Sequence, residues 1–147
     1  MQKEICELIN NDVLAITNQV AGISLTQSQP VDIHEAYTLS LSANGSYNLN
    51  LCLHADKKTL EKIAANMKRS PAAGDEVQMY VIEFFNILGG RIVSRINRVY
   101  QQSARFSPPE LSDCKMGKAC CEENCFSLHY GFSDGSVKVS GNFEMYQ

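Results

Sequence analysis

Glu83 and Asn86 stand three residues apart in the stretch EFFNILGG, residues 83–90. On a helix that spacing places two side chains on one face, with about 5–6 Å between Cβ atoms. A carboxylate accepts hydrogen bonds and pairs with cations. A carboxamide both accepts and donates, so it can hold a water molecule in a chosen orientation. Gly89 and Gly90 follow directly. Two glycines cost a helix about 1 kcal/mol each relative to alanine, so helix stability alone does not select them.

The surrounding run, EVQMYVIEFFNILGGRIVSRINRVY, has helical periodicity from residue 76 to about 100. Opposite Glu83 on the helical wheel fall Val81, Phe84, Phe85, Leu88, Ile92 and Val99, with Ile82, Val93, Ile96 and Tyr100 widening that core face. Asn86, Gly90, Ser94 and Asn97 lie within roughly 60° of Glu83. Met79, Tyr80 and Ile87 share this outward side. Gly89 points nearer the core, where it permits close packing on a neighbouring element. Gly90 points outward, where it lets another backbone approach. The outward face is a docking surface that displays two polar reagents.

E-x-x-N alone is a weak signal, because such pairs are common on solvated helix faces. The chain holds a second copy in Glu7 and Asn10. The copy at Glu83 continues further: Gly90 lies four residues after Asn86, and Pro109 follows Asn86 after 22 intervening residues. Glu7 and Asn10 have neither the glycine nor the proline at matching distance.

The pattern Glu83, Asn86, Gly90 and Pro109 resembles the CheC/CheX family of chemotaxis phosphatases, whose signature is E-x-x-N-x22-P. The resemblance covers most of the chain, and the single site favours the CheX-like branch. It implies hydrolysis of the aspartyl-phosphate of a CheY-like response regulator in chemotaxis or two-component signalling. It assigns catalytic roles to Glu83, which contacts the regulator, and to Asn86, which orients the attacking water. Met79, Tyr80, Ile87, Gly90 and Pro109 are then the expected partner-binding residues. The resemblance implies no cofactor of the chain's own, a Mg²⁺ held by the regulator, and a homodimer. Where the family usually has Asp or Ser, four residues before the glutamate, this chain has Met79. That departure keeps an alternative open: a non-catalytic binding module of the same fold that docks a response regulator or another signalling protein.

The rest of the chain must position this helix. Its 147 residues suit one domain, residues 1–147, and a 44% hydrophobic content suffices for a core. A net charge of −3 without a basic cluster argues against nucleic acid. No apolar run approaches the length of a membrane span, and the first residues have no signal-peptide core, so a cytoplasmic location is expected.

An N-terminal helix is indicated by Ile5, Leu8, Ile9, Val13, Ile16 and Val20, with Gly22 as its stop. "ISL" suggests a short strand after it. A hairpin follows, in which the three residues Ala43, Asn44 and Gly45 form the loop. That choice sets Leu41 opposite Tyr47 and Leu39 opposite Leu49, with Gly45 left-handed. Asp56 is the expected N-cap of a second helix lined by Leu60, Ile63, Ala64 and Met67. A closing hairpin through Asp134-Gly135 places Phe132 opposite Val137. The expected fold class is α+β: an antiparallel sheet covered on one face by helices.

Cys114, Cys120, Cys121 and Cys125 crowd one loop. They match zinc-ligand spacing poorly, with no C-x2-C and two adjacent cysteines, so free thiols or an incidental redox pair are expected and no metal site is assigned. A metal- or redox-sensing role built on this loop is a third functional reading. His34 and His54 read as surface or strand-end histidines. No nucleophile motif and no phosphate-cradling glycine loop occurs.

Overall fold

A computed structural model describes residues 2–112 and 124–146. The elements, in chain order, are α1 (Gln2–Ala21), β1 (Thr26–Gln27), β2 (Tyr37–Gly45), β3 (Tyr47–Ala55), α2 (Lys57–Lys68), α3 (Asp75–Val99), β4 (Ala104–Phe106), β5 (Glu110–Ser112), β6 (Cys125–Phe132) and β7 (Gly135–Met145). The strands form one antiparallel sheet in the order β1-β6-β7-β3-β2-β4, and β5 also pairs with β2. The three helices pack on one face of it. The fold is α+β, as the patterning indicates.

Alternation decides which face is dry. On β3, Tyr47, Leu49, Leu51, Leu53 and Ala55 are buried under the helices. Leu39, Leu41 and Ala43 of β2 and Val137, Val139 and Phe143 of β7 join them. The even-numbered residues of β2, β3 and β7, and the odd-numbered ones of β6, point the other way. That second face carries mostly serine, threonine and asparagine, such as Ser40, Asn50 and Ser140.

Helix boundaries follow local chemistry. Gly22 at φ 63° stops α1. Asp56 caps α2 by accepting from the Thr59 N–H at 2.8 Å. Leu60, Ile63 and Ala64 of α2 are buried, and Met67 is half-buried. α3 has no side-chain cap at Gly74, but Asp75 and Glu76 occupy its first turn, where carboxylates suit the helix dipole. Glu76 also pairs with Lys68 at 2.6 Å.

Both hairpins differ in register from the sequence expectation. In the first, Leu41 faces Leu51 and Leu39 faces Leu53, with Gly45-Ser46-Tyr47 between the last pair, Asn44 and Asn48. The shift is four residues, an even number, so every side chain keeps its expected face. The reason lies outside the hairpin. Ala43, Asn44 and Gly45 remain strand because they pair with Phe106, Arg105 and Ala104 of β4. Gly45 is not left-handed. It is glycine because a Cβ there would lie 2.2 Å from the Ser103 carbonyl oxygen.

In the closing hairpin, Phe132 faces Gly135 and Tyr130 faces Val137, so the loop is Ser133-Asp134. Gly135 belongs to the strand. A Cβ on it would sit 2.5 Å from Thr59 Oγ1, where β7 meets the start of α2.

Candidate functional site

α3 crosses the buried face of the sheet and is fixed at two places. The first is Gly89: a Cβ there would stand 2.3 Å from Leu41 Cδ2, so the glycine lets the helix settle onto β2. The second is the C-terminal end. Asn97 accepts from the Tyr47 hydroxyl at 2.9 Å and donates to the Ala104 carbonyl at 3.2 Å. Burial pushes the Tyr47 hydroxyl up to about 12, so it remains a donor. Asn97, read from the helical wheel as outward, is thus a strut between helix, hairpin and β4.

Val99 is also displaced from its expected place. It is 55% exposed, because Ile96 is the last core residue before the chain turns back. There Gln101 adopts φ 52°, the Gln102 N–H bonds Asn97 O at 2.9 Å, and the Ser103 N–H bonds Ser46 Oγ at 2.9 Å.

Opposite the core, α3 presents the expected face. Glu83 is exposed and Asn86 half-buried. Neither side chain makes a hydrogen bond or ion pair with any described residue. Met79 is 59% exposed, while Tyr80 and Ile87 are half-buried against the core margin. The structure therefore gathers Met79, Tyr80, Glu83, Asn86 and Ile87 on one surface.

Two expected contact residues sit differently. Gly90 is covered on one side by its own chain: a Cβ there would lie 3.5 Å from the Phe106 ring, an ordinary contact. Pro109 is buried between β4 and β5 and presents no free side chain to a partner. Its role here is to interrupt the edge strand. Pro108 and Pro109 carry no N–H to donate, so pairing with β2 breaks after Ser107 N–H bonds Ser42 O at 2.8 Å, and resumes at Glu110 with Ser40.

The fold brings Ala104, Arg105 and Phe106 beside this face, which the wheel could not reveal. A cleft of about 390 Å³ lies between the outer side of α3 and β4, lined by Gly90, Val93, Ser94, Asn97, Ala104, Arg105 and Phe106. Gly90, one turn beyond Asn86, puts the near end of this cleft next to the Glu83 surface. The signal was present in "SARF", whose alternation places Phe106 and Ala104 together, but nothing local says that this strand lies beside α3.

On the side of α3 toward α1, Arg95 reaches the buried Asp12 at 3.4 Å. Asp12 is 2% exposed. Burial raises its carboxyl above the usual range, against the opposing pull of Arg95, Arg91 and Arg98.

In the second E-x-x-N the asparagine is engaged by the fold. Tyr130 donates its hydroxyl to Asn10 Oδ1 at 2.8 Å, so that carboxamide is engaged. Cys125 is disulfide-bonded, which matches the redox-pair alternative and not the free thiol. Cys114, Cys120 and Cys121 lie outside the described residues. His34 is exposed, but His54 is buried and bonded on both ring nitrogens, which the sequence did not signal. No helix among the described residues is long and apolar enough to cross a membrane.

Comparison with known proteins addresses the family. Residues 37–133 match the sequence model of the family described as chemotaxis phosphatase CheX. No curated protein matches the sequence. Among solved structures, the chemotaxis protein CheX of Vibrio vulnificus superposes with a TM-score of 0.81 at 17% identity, covering 98% of this chain and 99% of that one. A CheC-like superfamily protein of Shewanella sp. PV-4 gives 0.80 at 14% identity, covering 98% and 99%. A chain of the CheX-CheY-BeF3-Mg²⁺ complex of Borrelia burgdorferi gives 0.78 at 13% identity, covering 95% and 97%. At such identities the superpositions speak for the fold, and the sequence match over residues 37–133 speaks for the family. This chain belongs to the CheX family of chemotaxis phosphatases.

Proposed function

We propose that the chain hydrolyses the aspartyl-phosphate of a CheY-like response regulator, using Glu83 and Asn86. The observation that carries this reading is the state of the two side chains. They stand one helical turn apart on the outer side of α3, and neither is bonded to any described residue. The family match and the CheX-CheY complex of Borrelia burgdorferi support the choice of partner.

The chemistry is economical. Hydrolysis of an acyl phosphate needs an in-line water and stabilised charge, with little covalent help from the protein. In this reading the Asn86 carboxamide orients the water. As its oxygen attacks phosphorus, the bond to the aspartate oxygen breaks, and inorganic phosphate and the free carboxylate result. Glu83 pairs with a cation of the regulator and holds the register. Mg²⁺ is assigned to the regulator, and this chain acts as a homodimer in the cytoplasm. Gly90 and the cleft beside it receive the partner's backbone.

A second reading, a docking module without catalysis, is favoured by Met79. An exposed thioether stands where the family usually carries Asp or Ser, and it suits apolar contact better than polar chemistry. One experiment separates the two. Phosphate release from phosphorylated CheY-like proteins, in Mg²⁺, should accelerate over the regulator's own rate when this chain is added. Binding without acceleration would favour the docking module.

A further inference from the structure

The face of the sheet away from the helices carries one row unlike the others. Thr38, His54, Lys138 and His129 lie side by side on β2, β3, β7 and β6 in continuous register. Adjacent strands are about 5 Å apart, so the Lys138 stem rises between two imidazoles. The next row is Ser40, Cys52, Ser140 and Ser127, all short and uncharged.

The segment 30–36, between β1 and β2, faces this row across a cavity. Together they border this open-sided cavity of about 560 Å³. Pro30, Val31, Ile33 and Ala36 line it from the segment, and His54, His129 and Lys138 from the sheet. The Ser28 N–H bonds the His129 carbonyl at 2.9 Å, which pins one end of the roof to the row it covers. That volume falls in the range of small-ligand sites, and apolar walls with a few convergent polar groups are their usual composition.

The polar groups define the ligand's charge. Lys138 forms no ion pair and no side-chain hydrogen bond with any described residue. Asp32 is the carboxylate in the lining, and it is exposed and not paired to Lys138. Both nitrogens of His54 are occupied, Nδ1 by Thr38 Oγ1 at 3.1 Å and Nε2 by Ser140 Oγ at 2.9 Å. His129 meets Ser127 Oγ through Nε2 at 3.1 Å, which leaves Nδ1 without a partner among the described residues. Burial first, and the Lys138 charge second, hold His54 down at about 4 and His129 below its ordinary value. Near neutral pH the row therefore offers one formal positive charge, with neutral imidazoles beside it. One positive charge under a roof that is apolar except for the exposed Asp32 matches a monoanion with an apolar body better than a phosphate dianion.

We propose that this cavity binds a small organic monocarboxylate, with Lys138 Nζ and His129 Nδ1 taking the carboxylate and Val31 and Ile33 covering the apolar body. The site lies on the sheet face opposite α3 and does not depend on the phosphatase reading.

Benzoate is the probe, titrated into the full chain and followed by imidazole nitrogen and proton shifts and by calorimetry. Saturable shifts are expected at His54 and His129, with His34 unmoved. Lys138→Met should weaken binding about tenfold or more, the usual scale for a lost charge-assisted hydrogen bond, and Lys138→Arg should largely retain it. Val31→Asp, on the exposed roof, should also weaken benzoate, and it supplies the test if Lys138→Met fails to fold. Absence of a saturable shift in the folded wild-type chain would overturn the proposal. So would unchanged affinity in Lys138→Met, or in Val31→Asp. Inorganic phosphate binding as tightly as benzoate would overturn the assignment to monocarboxylates.

Discussion

Tyr130 donates its hydroxyl to Asn10 Oδ1 at 2.8 Å, across the interface between β6 and α1. The bond separates two asparagines that look alike in sequence. Asn10 satisfies a tyrosine that is almost wholly buried, whereas Asn86 has no partner among the described residues. Asn10→Ala should therefore cost stability. An orphaned buried hydroxyl costs about 1–3 kcal/mol. Dephosphorylation by the folded fraction should stay at the wild-type rate. Urea denaturation alongside phosphate release checks both halves, and a loss of turnover without a loss of stability would assign Asn10 to chemistry.

The adjacent glycines should part company in the same way. At Gly89 an added methyl meets Leu41 Cδ2 in a buried contact, so Gly89→Ala overpacks the core. The strain, about 1–3 kcal/mol, should outweigh the helix-propensity gain of roughly 1 kcal/mol. At Gly90 the methyl meets the Phe106 ring at ordinary distance. Gly90→Ala should leave the chain as stable as wild type or more so, while weakening its complex with a phosphorylated regulator. Melting curves and a binding titration on both variants test this. Tight binding by Gly90→Ala would reduce Gly90 to a packing residue beside Phe106.

The difference between the two glycines also shows what was legible in the sequence. Periodicity on α3 told inward from outward, and it put Gly89 against the core correctly. It could not see that β4 returns to lie beside the same helix, because that contact joins Gly90 to Phe106 across a turn. Asn97 was misjudged for the same reason: its partners, Tyr47 and Ala104, come from other elements. The hairpins kept their faces and lost their registers, since alternation determines parity only. The actual offset depends on β4 for Gly45 and on Thr59 for Gly135. Pro109 carries family information at its sequence position, yet its buried place at the strand break is a fact of topology.

His54 makes stability depend on pH. The folded value of about 4 lies below the ordinary 6.5, chiefly through burial. Between those values the unfolded chain binds a proton that the folded chain does not, so stability falls as pH drops through this window. The effect is on the order of 3 kcal/mol at most. His129 acts in the same direction. Asp12 acts in the opposite one, because its raised carboxyl value contributes stability at low pH that is lost as pH rises. A comparison with His54→Gln isolates the histidine. Urea midpoints taken near neutrality and near pH 5 should differ less in the variant than in wild type. Equal differences would mean that other groups carry the acid sensitivity.

Glu83 and Asn86 should fail in different ways, because they are assigned to different steps. Asn86→Ala removes the group that orients water, so kcat should fall while complex formation is nearly unchanged. A loss on the order of 3 kcal/mol corresponds to about two decades in rate. Glu83→Ala removes an exposed carboxylate assigned to an intermolecular ion pair. Association should weaken and alignment suffer, so kcat/KM should drop more than kcat. Neither change should lower stability much, since neither side chain has a partner to lose among the described residues. Raising salt should mimic part of the Glu83→Ala effect and little of the Asn86→Ala effect, because screening acts on the ion pair and not on the water. Steady-state phosphate release over a range of regulator concentrations, with circular dichroism to confirm folding, resolves the two. If Asn86→Ala turns over at the wild-type rate, the carboxamide does not handle the water, and this face of α3 is a docking surface alone.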